Sequence, residues 1–287
     1  MLGIKSLNSA RSGIFIFLAV IVLIAIFWVR NSTFPRQASY NVFHYLSGQE
    51  ISLKTSTFKE VKTEHFIIKY EPADEAYVGL IGETAEEAYN SDSKVMGRKP
   101  ERITTIVVYP NSASLATSFG WDKDEKALGV YYGGTIRILS PREWLNGGDI
   151  KAKFVKEGPM NHELAHLLVD EMTRGNYNRW WTEGIAQYVE KKTTGFEFSN
   201  PFAGQNKIKY YQLSVLEKNF GQLDQQVAYW ESLKAVEYIA DYYGEEKLFT
   251  ILNCLGNGDK MDKAIQNSLG IDMKTFETRF RENIGIL

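Results

Sequence analysis

Cysteine is almost absent from this 287-residue chain, which also has no low-complexity tract and no internal repeat. The single residue Cys254 excludes an intrachain disulfide and a cysteine-built zinc finger, although it says little about the compartment. Hydrophobic and charged fractions of 44% and 24% are ordinary for a globular protein. The length suffices for a membrane segment plus one medium domain, or for two small domains.

Basic residues form no stripe along the sequence. Residues 1–36 carry four basic and no acidic residues, whereas residues 37–287 carry 29 basic and 35 acidic residues, a net charge of −6. A nucleic-acid-binding domain would show a basic patch instead. The charge distribution therefore argues against a nucleic-acid partner.

One long apolar run stands near the N-terminus, from Ile14 to Val29. With Ser12 and Gly13 it makes 18 residues, which as a helix would reach about 27 Å, close to the roughly 30 Å hydrocarbon core of a bilayer. Arg30 follows at once, and this makes a poor cleavage site for a signal peptidase. We predict an uncleaved, single-pass anchor. A slight excess of basic charge on its N-terminal side favours an extracytoplasmic location for the rest of the chain.

The remaining sequence indicates an α+β fold, with a mixed half followed by a helical half. Runs of β-branched and aromatic residues predict strands at 64–72, 102–110 and 129–141, the last as one strand or as a hairpin around Gly133 and Gly134. Helical spacing of apolar residues predicts one helix at 73–96 before the last two strands. Further helices are predicted at 159–173, 181–192, 205–220, 228–243, 245–256 and 260–283, the last with a break near Gly270.

Two histidines with metal-ligand spacing occur in "NHELAHLLVDEMTRGNYNRWWTEGIAQYVE", residues 161–190. His162 and His166 are four residues apart, so a helix places both imidazoles on one face. Two such imidazoles can bind one zinc ion. Glu163 lies beside them, where it can take a proton from zinc-bound water and pass it to the leaving amine. The motif H-E-x-x-H also arises by chance, so a third ligand is needed to support it.

Glu183 is the candidate third ligand. It lies 17 residues after His166 and near the start of a second predicted helix, with a turn between the two helices. Packed antiparallel, the helices would bring Glu183 to the histidines. Two histidines and one carboxylate leave a fourth position for water, as in a catalytic zinc site. An acid favoured by the helix dipole is an alternative reading of Glu183, and both readings are compatible.

These residues resemble the gluzincin metallopeptidases, and in particular the aminopeptidase N-like branch of the peptidase MA-like group. The likeness is sharp in "HELAH" and "WWTEGIAQYVE" and weaker at 228–250. It implies a thermolysin-like zincin architecture, with a small mixed β-sheet subdomain that has an edge strand, followed by a mostly helical subdomain. It also implies one Zn²⁺ held by His162, His166 and Glu183, with Glu163 as general base.

The same resemblance implies a tyrosine that stabilises the oxyanion, near the start of a helix that ends at a glycine. Tyr229, 15 residues before Gly244, is the candidate, although other tyrosines lie on the same predicted helix. No histidine follows His166, which excludes a histidine in that role. The partner that orients the zinc-binding histidines stays open, with the Gln187 amide oxygen as one possibility.

Substrate binding is implied to involve the last strand before the first zinc-binding helix, because in gluzincins this strand is an exposed edge that pairs with an extended peptide. We assign this role to about Gly134–Leu139, with Gly134, Thr135, Ile136 and Arg137 as substrate-binding residues. The glycine-x-methionine-glutamate-asparagine stretch with which aminopeptidases capture a free amine is missing. Its absence favours an endopeptidase.

The sequence thus predicts a membrane-anchored zinc metallopeptidase that hydrolyses peptide bonds in a peptide or protein substrate. The alternative is a catalytically silent, membrane-anchored binding or assembly module. The expected organisation is an anchor at 1–30, a stalk without clear periodicity at 31–60 and a peptidase domain at 61–287. Within the domain we expect a sheet subdomain at about 61–145, zinc-binding helices at 159–192 and a helical subdomain at about 202–287.

Overall fold

The computed structural model describes residues 20–22, 34–123, 126–203 and 210–285. The strands are β1 (Lys59–Lys62), β2 (Phe66–Tyr70), β3 (Thr104–Tyr109), β4 (Gly129–Tyr132) and β5 (Thr135–Leu139). The helices are α1 (Phe34–Lys54), α2 (Val78–Met96), α3 (Ser112–Ser118), α4 (Ile150–Glu157), α5 (Met160–Thr173), α6 (Arg179–Thr194), α7 (Leu213–Asn219), α8 (Gln225–Tyr243), α9 (Glu246–Gly256), α10 (Met261–Leu269) and α11 (Met273–Asn283).

The five strands form one mixed sheet in the order β1-β2-β3-β5-β4. The central pairs β2–β3 and β3–β5 are parallel, and the outer pairs β1–β2 and β5–β4 are antiparallel. The expectation of a small mixed sheet followed by a mostly helical half is therefore confirmed.

Strands β4 and β5 make the hairpin that the sequence left open. Its turn is Gly133 and Gly134, whose φ angles of 56° and 84° lie in the left-handed region that a two-residue type I′ turn requires. The expectation that about 134–139 forms an exposed edge is wrong, because β5 pairs with β3 on one side and β4 on the other and is buried throughout. The edge strand next to the helices is β4.

The core has two main parts that meet at α5. On one face of the sheet, residues such as Ile106 and Ile136 pack against α2 and against Leu164 of α5. The helical half packs around Trp180 and Trp181, which are fully buried. Helices α5 and α6 are thus fixed on both sides, and this rigidity suits a site built on them.

Helix α1 occupies most of the segment in which we expected a stalk. Its inward face carries Tyr40, His44, Ser47 and Ile51, of which only Ile51 is strongly apolar. Its outward face carries Val42, Leu46 and Leu53, which are 57%, 58% and 76% exposed. Because the inward face is largely polar and the outward face mixes apolar with polar residues, the helix gave no periodic apolar signal.

The membrane anchor falls outside the described residues, apart from 20–22. Among the residues that are described, no helix is both long and apolar enough to cross a bilayer.

The helix expected at 205–220 is shorter in the described part, where α7 begins at Leu213. Helices α3 and α4 were not expected, because stretches of seven and eight residues carry little periodic signal.

Candidate metal centre

Helix α5 presents His162 and His166 one turn apart, and their ring centres lie 4.8 Å from each other. The helix ends at Thr173, where Arg174 adopts a left-handed conformation with φ of 54°, and α6 begins at Arg179. The two helices then pack against each other through buried residues that include Ala165, Trp181 and Ile185. This packing brings Glu183, which is buried in α6, to the two histidines.

The three predicted ligands form a small triangle. His162 Nε2 lies 3.1 Å from His166 Nε2, and Glu183 Oε2 lies 3.5 Å from the first nitrogen and 3.4 Å from the second. A tetrahedral zinc ion with bonds of about 2.0–2.1 Å separates its ligand atoms by about 3.3 Å. His162, His166 and Glu183 also form the group of three His or acidic residues within the described part that could hold a metal. The donors therefore fit zinc in type and in spacing.

The charges of the triangle are strongly coupled. Burial opposes a charge on His162, but the carboxylates of Glu183 and Glu190 outweigh burial and raise the pKa of His162 well above its usual range. Burial likewise opposes ionisation of Glu183, but His166 and His162 outweigh it and hold the pKa of Glu183 well below its usual range. The carboxylate therefore stays ionised, as a metal ligand must be.

Two further side chains orient the histidines. His162 Nδ1 lies 3.1 Å from Glu190 Oε2, and His166 Nδ1 lies 2.6 Å from Thr182 Oγ1. Such partners fix the imidazole so that Nε2 faces the metal. The sequence offered a signal for Glu190, because it follows Glu183 by seven residues and so shares its face of α6.

Gln187 does not have the orienting role that the sequence suggested. Its Nε2 donates to the carbonyl of Glu183 at 3.1 Å and to the carbonyl of Tyr229 at 2.9 Å. The side chain of Gln187 links α6 to α8 instead, because it points from α6 towards α8 and not towards α5. The interpretation of Gln187 as the partner of a zinc-binding histidine is therefore wrong.

Glu163 is held against the edge strand. Its Oε2 accepts a hydrogen bond of 2.6 Å from the backbone N–H of Tyr131 in β4. Gly129 makes this approach possible, because a Cβ atom there would lie 2.5 Å from Pro159 Cβ and 2.9 Å from Glu163 Cγ. Burial raises the pKa of Glu163, with the two imidazoles opposing the shift. A carboxylate with a raised pKa is a better proton acceptor.

Tyr229 reaches the site from α8. Its hydroxyl donates to Glu183 Oε1 at 3.1 Å, and Arg179 Nε lies 3.4 Å from the same oxygen. Burial and the neighbouring carboxylate of Glu183 raise the pKa of Tyr229. Its hydroxyl therefore keeps its proton at neutral pH and can donate a hydrogen bond beside the triangle of ligands.

The residues expected to bind substrate are not at the metal centre. Thr135 and Arg137 point to the face of the sheet opposite α5, where the guanidinium of Arg137 donates to Ser118 O at 2.8 Å and lies over the ring of Phe119. Ile136 is buried in the core on the other face. Gly134 lies in the hairpin turn. The assignment failed because the strand order of a sheet depends on contacts that are remote in sequence.

Comparison with known proteins supports the resemblance seen in the sequence. Residues 84–285, more than half of the chain, match the family model of the Peptidase MA superfamily. The chain belongs to the Peptidase MA superfamily. The gluzincin resemblance drawn from "HELAH" and "WWTEG" is thereby confirmed at the level of this superfamily.

Among solved structures, the M1 zinc metallopeptidase from Deinococcus radiodurans is similar with a TM-score of 0.44 and 14% identity, over 78% of this chain and 49% of that one. A mutant of the same enzyme gives a TM-score of 0.45 and 14% identity, over 78% and 50% of the two chains. This member of the Peptidase MA superfamily thus spans about half the length of those structures. No curated protein matches it in sequence.

Proposed function

We propose that the chain is a membrane-anchored, zinc-dependent endopeptidase. The observation that carries this proposal is the placement of Glu163. Its carboxylate is buried between the edge strand and the triangle formed by His162, His166 and Glu183, and it is held there by the backbone of Tyr131. A catalytically silent relative would have no need for a fixed, buried carboxylate at this position.

Zinc, when bound by the three ligands, would lower the pKa of a water molecule and polarise the scissile carbonyl. Glu163 takes the proton from the attacking water, and its raised pKa suits this transfer. The same carboxyl then gives the proton to the leaving amine. The hydroxyl of Tyr229 donates a hydrogen bond where negative charge develops on the carbonyl oxygen.

Strand β4 supports an extended substrate. Leu139 N–H donates to Leu128 O at 2.8 Å, and the register then pairs Val130 with Arg137 through hydrogen bonds. The backbone groups of Gly129 and Tyr131 therefore face away from β5, towards α5 and the metal centre. Because the N–H of Tyr131 is bonded to Glu163, a peptide would pair through the other outward groups of this edge. The sequence lacks the motif with which aminopeptidases hold the free N-terminal amine of a substrate. A peptide paired with this edge is therefore not held by its N-terminus, and this favours cleavage of internal bonds.

The test compares the full-length wild type with Glu163→Gln, using Glu157→Gln, an exposed carboxylate on α4, as the matched control. Zinc content is measured by mass spectrometry and cleavage with an internally quenched peptide library. We expect one zinc per chain in all three proteins and a loss of kcat of at least about 10²–10⁴-fold in Glu163→Gln alone. Bound zinc without turnover of any peptide by the wild type would contradict an enzyme and favour a silent binding module.

The membrane anchor is part of the same proposal. It is supported by the apolar run from Ile14 to Val29, which is long enough to cross a bilayer as a helix. Helix α1 follows this run and carries three exposed apolar side chains, Val42, Leu46 and Leu53. In cell fractionation we expect the full chain in the membrane pellet after a carbonate wash. Release of the intact chain into the supernatant would contradict the anchor.

A further inference from the structure

A cavity of about 370 Å³ lies beside the metal centre, between α1, the end of β4 and the last turn of α5. Its volume falls in the range of about 300–1,000 Å³ that is usual for small-molecule sites. Aromatic rings make most of its wall, contributed by Tyr40, Phe43, Tyr131, Tyr132 and Tyr177. Phe43 and Tyr132 pack edge to face, and the hydroxyls of Tyr40 and Tyr131 are hydrogen-bonded to Asp170, so this wall is preformed.

The carboxylate of Asp170 lies within this wall. Its Oδ2 accepts hydrogen bonds from the hydroxyls of Tyr131 at 2.7 Å and Tyr40 at 3.2 Å, and it lies 3.0 Å from His44 Nε2. Burial and the same carboxylate raise the pKa of Tyr177. The side chain of Asp170 is only 7% exposed, so the cavity contains a fixed and largely desolvated carboxylate.

Asp170 is joined to the catalytic machinery by its helix and by one tyrosine. On α5 it follows His166 by four residues, as His166 follows His162, which places it about 6 Å further along the same side of the helix. Tyr131 donates its backbone N–H to Glu163 and its hydroxyl to Asp170. A peptide lying along β4 past Tyr131 therefore meets this cavity at the end of the strand near Gly133.

The electrostatic environment of the cavity favours a cation. The pKa of Tyr40 is raised by burial and then by the carboxylates of Asp170, Glu171 and Glu101, which indicates negative potential at this ring. The guanidinium of Arg174 is exposed at the rim of the cavity, where water screens its charge. A buried carboxylate surrounded by aromatic faces attracts an ammonium or guanidinium group by direct charge and by cation–π interaction.

We propose that this cavity is a specificity pocket that takes a lysine or arginine side chain of the substrate. The pocket deepens the proposed peptidase function and rests on it. It assigns Asp170 as the group that recognises the cation and assigns α1, through Tyr40 and Phe43, as the outer wall. Helix α1 is then part of the substrate site and not only a connection to the membrane.

The test measures binding without turnover. The full-length Glu163→Gln protein is titrated by calorimetry with N-acetyl-lysine methylamide and with N-acetyl-norleucine methylamide, which has a similar chain but no charge. We expect the lysine compound to bind at least about tenfold more tightly. We expect Asp170→Asn, added to this protein, to remove the preference, and Asp241→Asn, an exposed change on α8, to keep it. Equal affinities for the two compounds, or a preference that survives Asp170→Asn, would overturn the pocket.

A second variant covers the case in which Asp170→Asn does not fold, which circular dichroism would show. Phe43→Ala removes an exposed ring on α1 and leaves the carboxylate in place, and we expect it to weaken binding of the lysine compound more than binding of the norleucine compound. An unchanged ratio would contradict the pocket. Failure of the wild type to cleave peptides would contradict the proposed function, but the binding result would stand separately.

Discussion

The α5–α6 pair carries the three candidate metal ligands and Glu163 within residues 162–183, whereas the proposed substrate site combines segments that are remote in the chain. Tyr40 in α1 and Asp170 in α5, for example, are 130 residues apart. The first region depends on helical spacing and on one short turn. The second depends on the order of the strands and on a helix that precedes the sheet.

The difference teaches where catalysis and specificity can change independently. The ligands and their orienting partners lie in a buried core with few exposed atoms, so changes there should affect zinc and turnover together. The walls beside β4 lie at the surface of the domain, and changes there should affect substrate choice first. Three predictions test this division and a fourth tests the helical half outside it, in decreasing order of expected effect.

Tyr229→Phe tests whether the metal centre extends to α8. Loss of one hydroxyl that donates to a developing oxyanion is expected to lower kcat by about 10²–10³-fold, with little change in zinc content. Tyr242→Phe, on the exposed face of the same helix, is the control and should keep full activity. Steady-state kinetics on one quenched peptide measures both, and a kcat for Tyr229→Phe equal to that of the control would remove Tyr229 from the mechanism.

Glu190→Gln tests how far the metal centre depends on the partners of its ligands. Without the carboxylate beside His162 Nδ1, we expect zinc affinity to fall about 10–100-fold. Competition with a fluorescent chelator measures this affinity. Glu237→Gln removes a partly exposed carboxylate that pairs with Lys191 and Lys234, and it should leave zinc affinity unchanged. Equal affinities in the two variants would mean that Glu190 does not orient His162.

Gly129→Ala tests the junction between the two regions. A Cβ atom at this position overlaps Pro159 and Glu163, so β4 must move away from α5. We expect a loss of about 1–3 kcal/mol in the free energy of unfolding, together with lower kcat/KM. Gly79→Ala on α2, where a Cβ atom meets nothing within 4 Å, is the matched control. The free energy of unfolding of the two variants is measured with denaturant. Equal values would mean that β4 does not pack closely against Glu163.

Glu231→Gln tests the helical half away from both regions. Burial raises the pKa of Glu231 to about 8, against a usual value near 4.5, so the folded state binds more protons than the unfolded state between these values. Stability of the wild type should therefore fall as pH rises through this window. Between pH 5 and 9, the melting temperature of the variant should rise relative to that of the wild type as pH rises. A difference that does not vary with pH would contradict the raised pKa.

The local parts of the structure could be predicted from the sequence. Helical spacing predicted α5, α6 and α8, and paired glycines marked the turn between β4 and β5. The ligand triangle followed because His162, His166 and Glu183 are separated only by one helix and one short turn. Local geometry of this kind depends on few contacts, so it can be predicted from the spacing of residues in the sequence.

The remote parts could not be predicted in the same way. Nothing near Gly134–Leu139 shows that β5 inserts between β3 and β4, because strand order is decided by packing across the whole sheet. Helix α1 escaped notice because its inward face carries Tyr40, His44 and Ser47 and not a row of apolar residues. The orienting role of Thr182 also required the structure, since it depends on the rotation of α6 against α5.

The most direct test of the metal centre is an anomalous-scattering map of the zinc-loaded full chain. We expect one peak at about 2.0–2.2 Å from His162 Nε2, His166 Nε2 and a carboxylate oxygen of Glu183, with Glu163 beside it and not bound to it. A peak elsewhere, or a zinc ion at the two histidines with Glu183 turned away, would contradict the three-ligand site on which the proposed function depends.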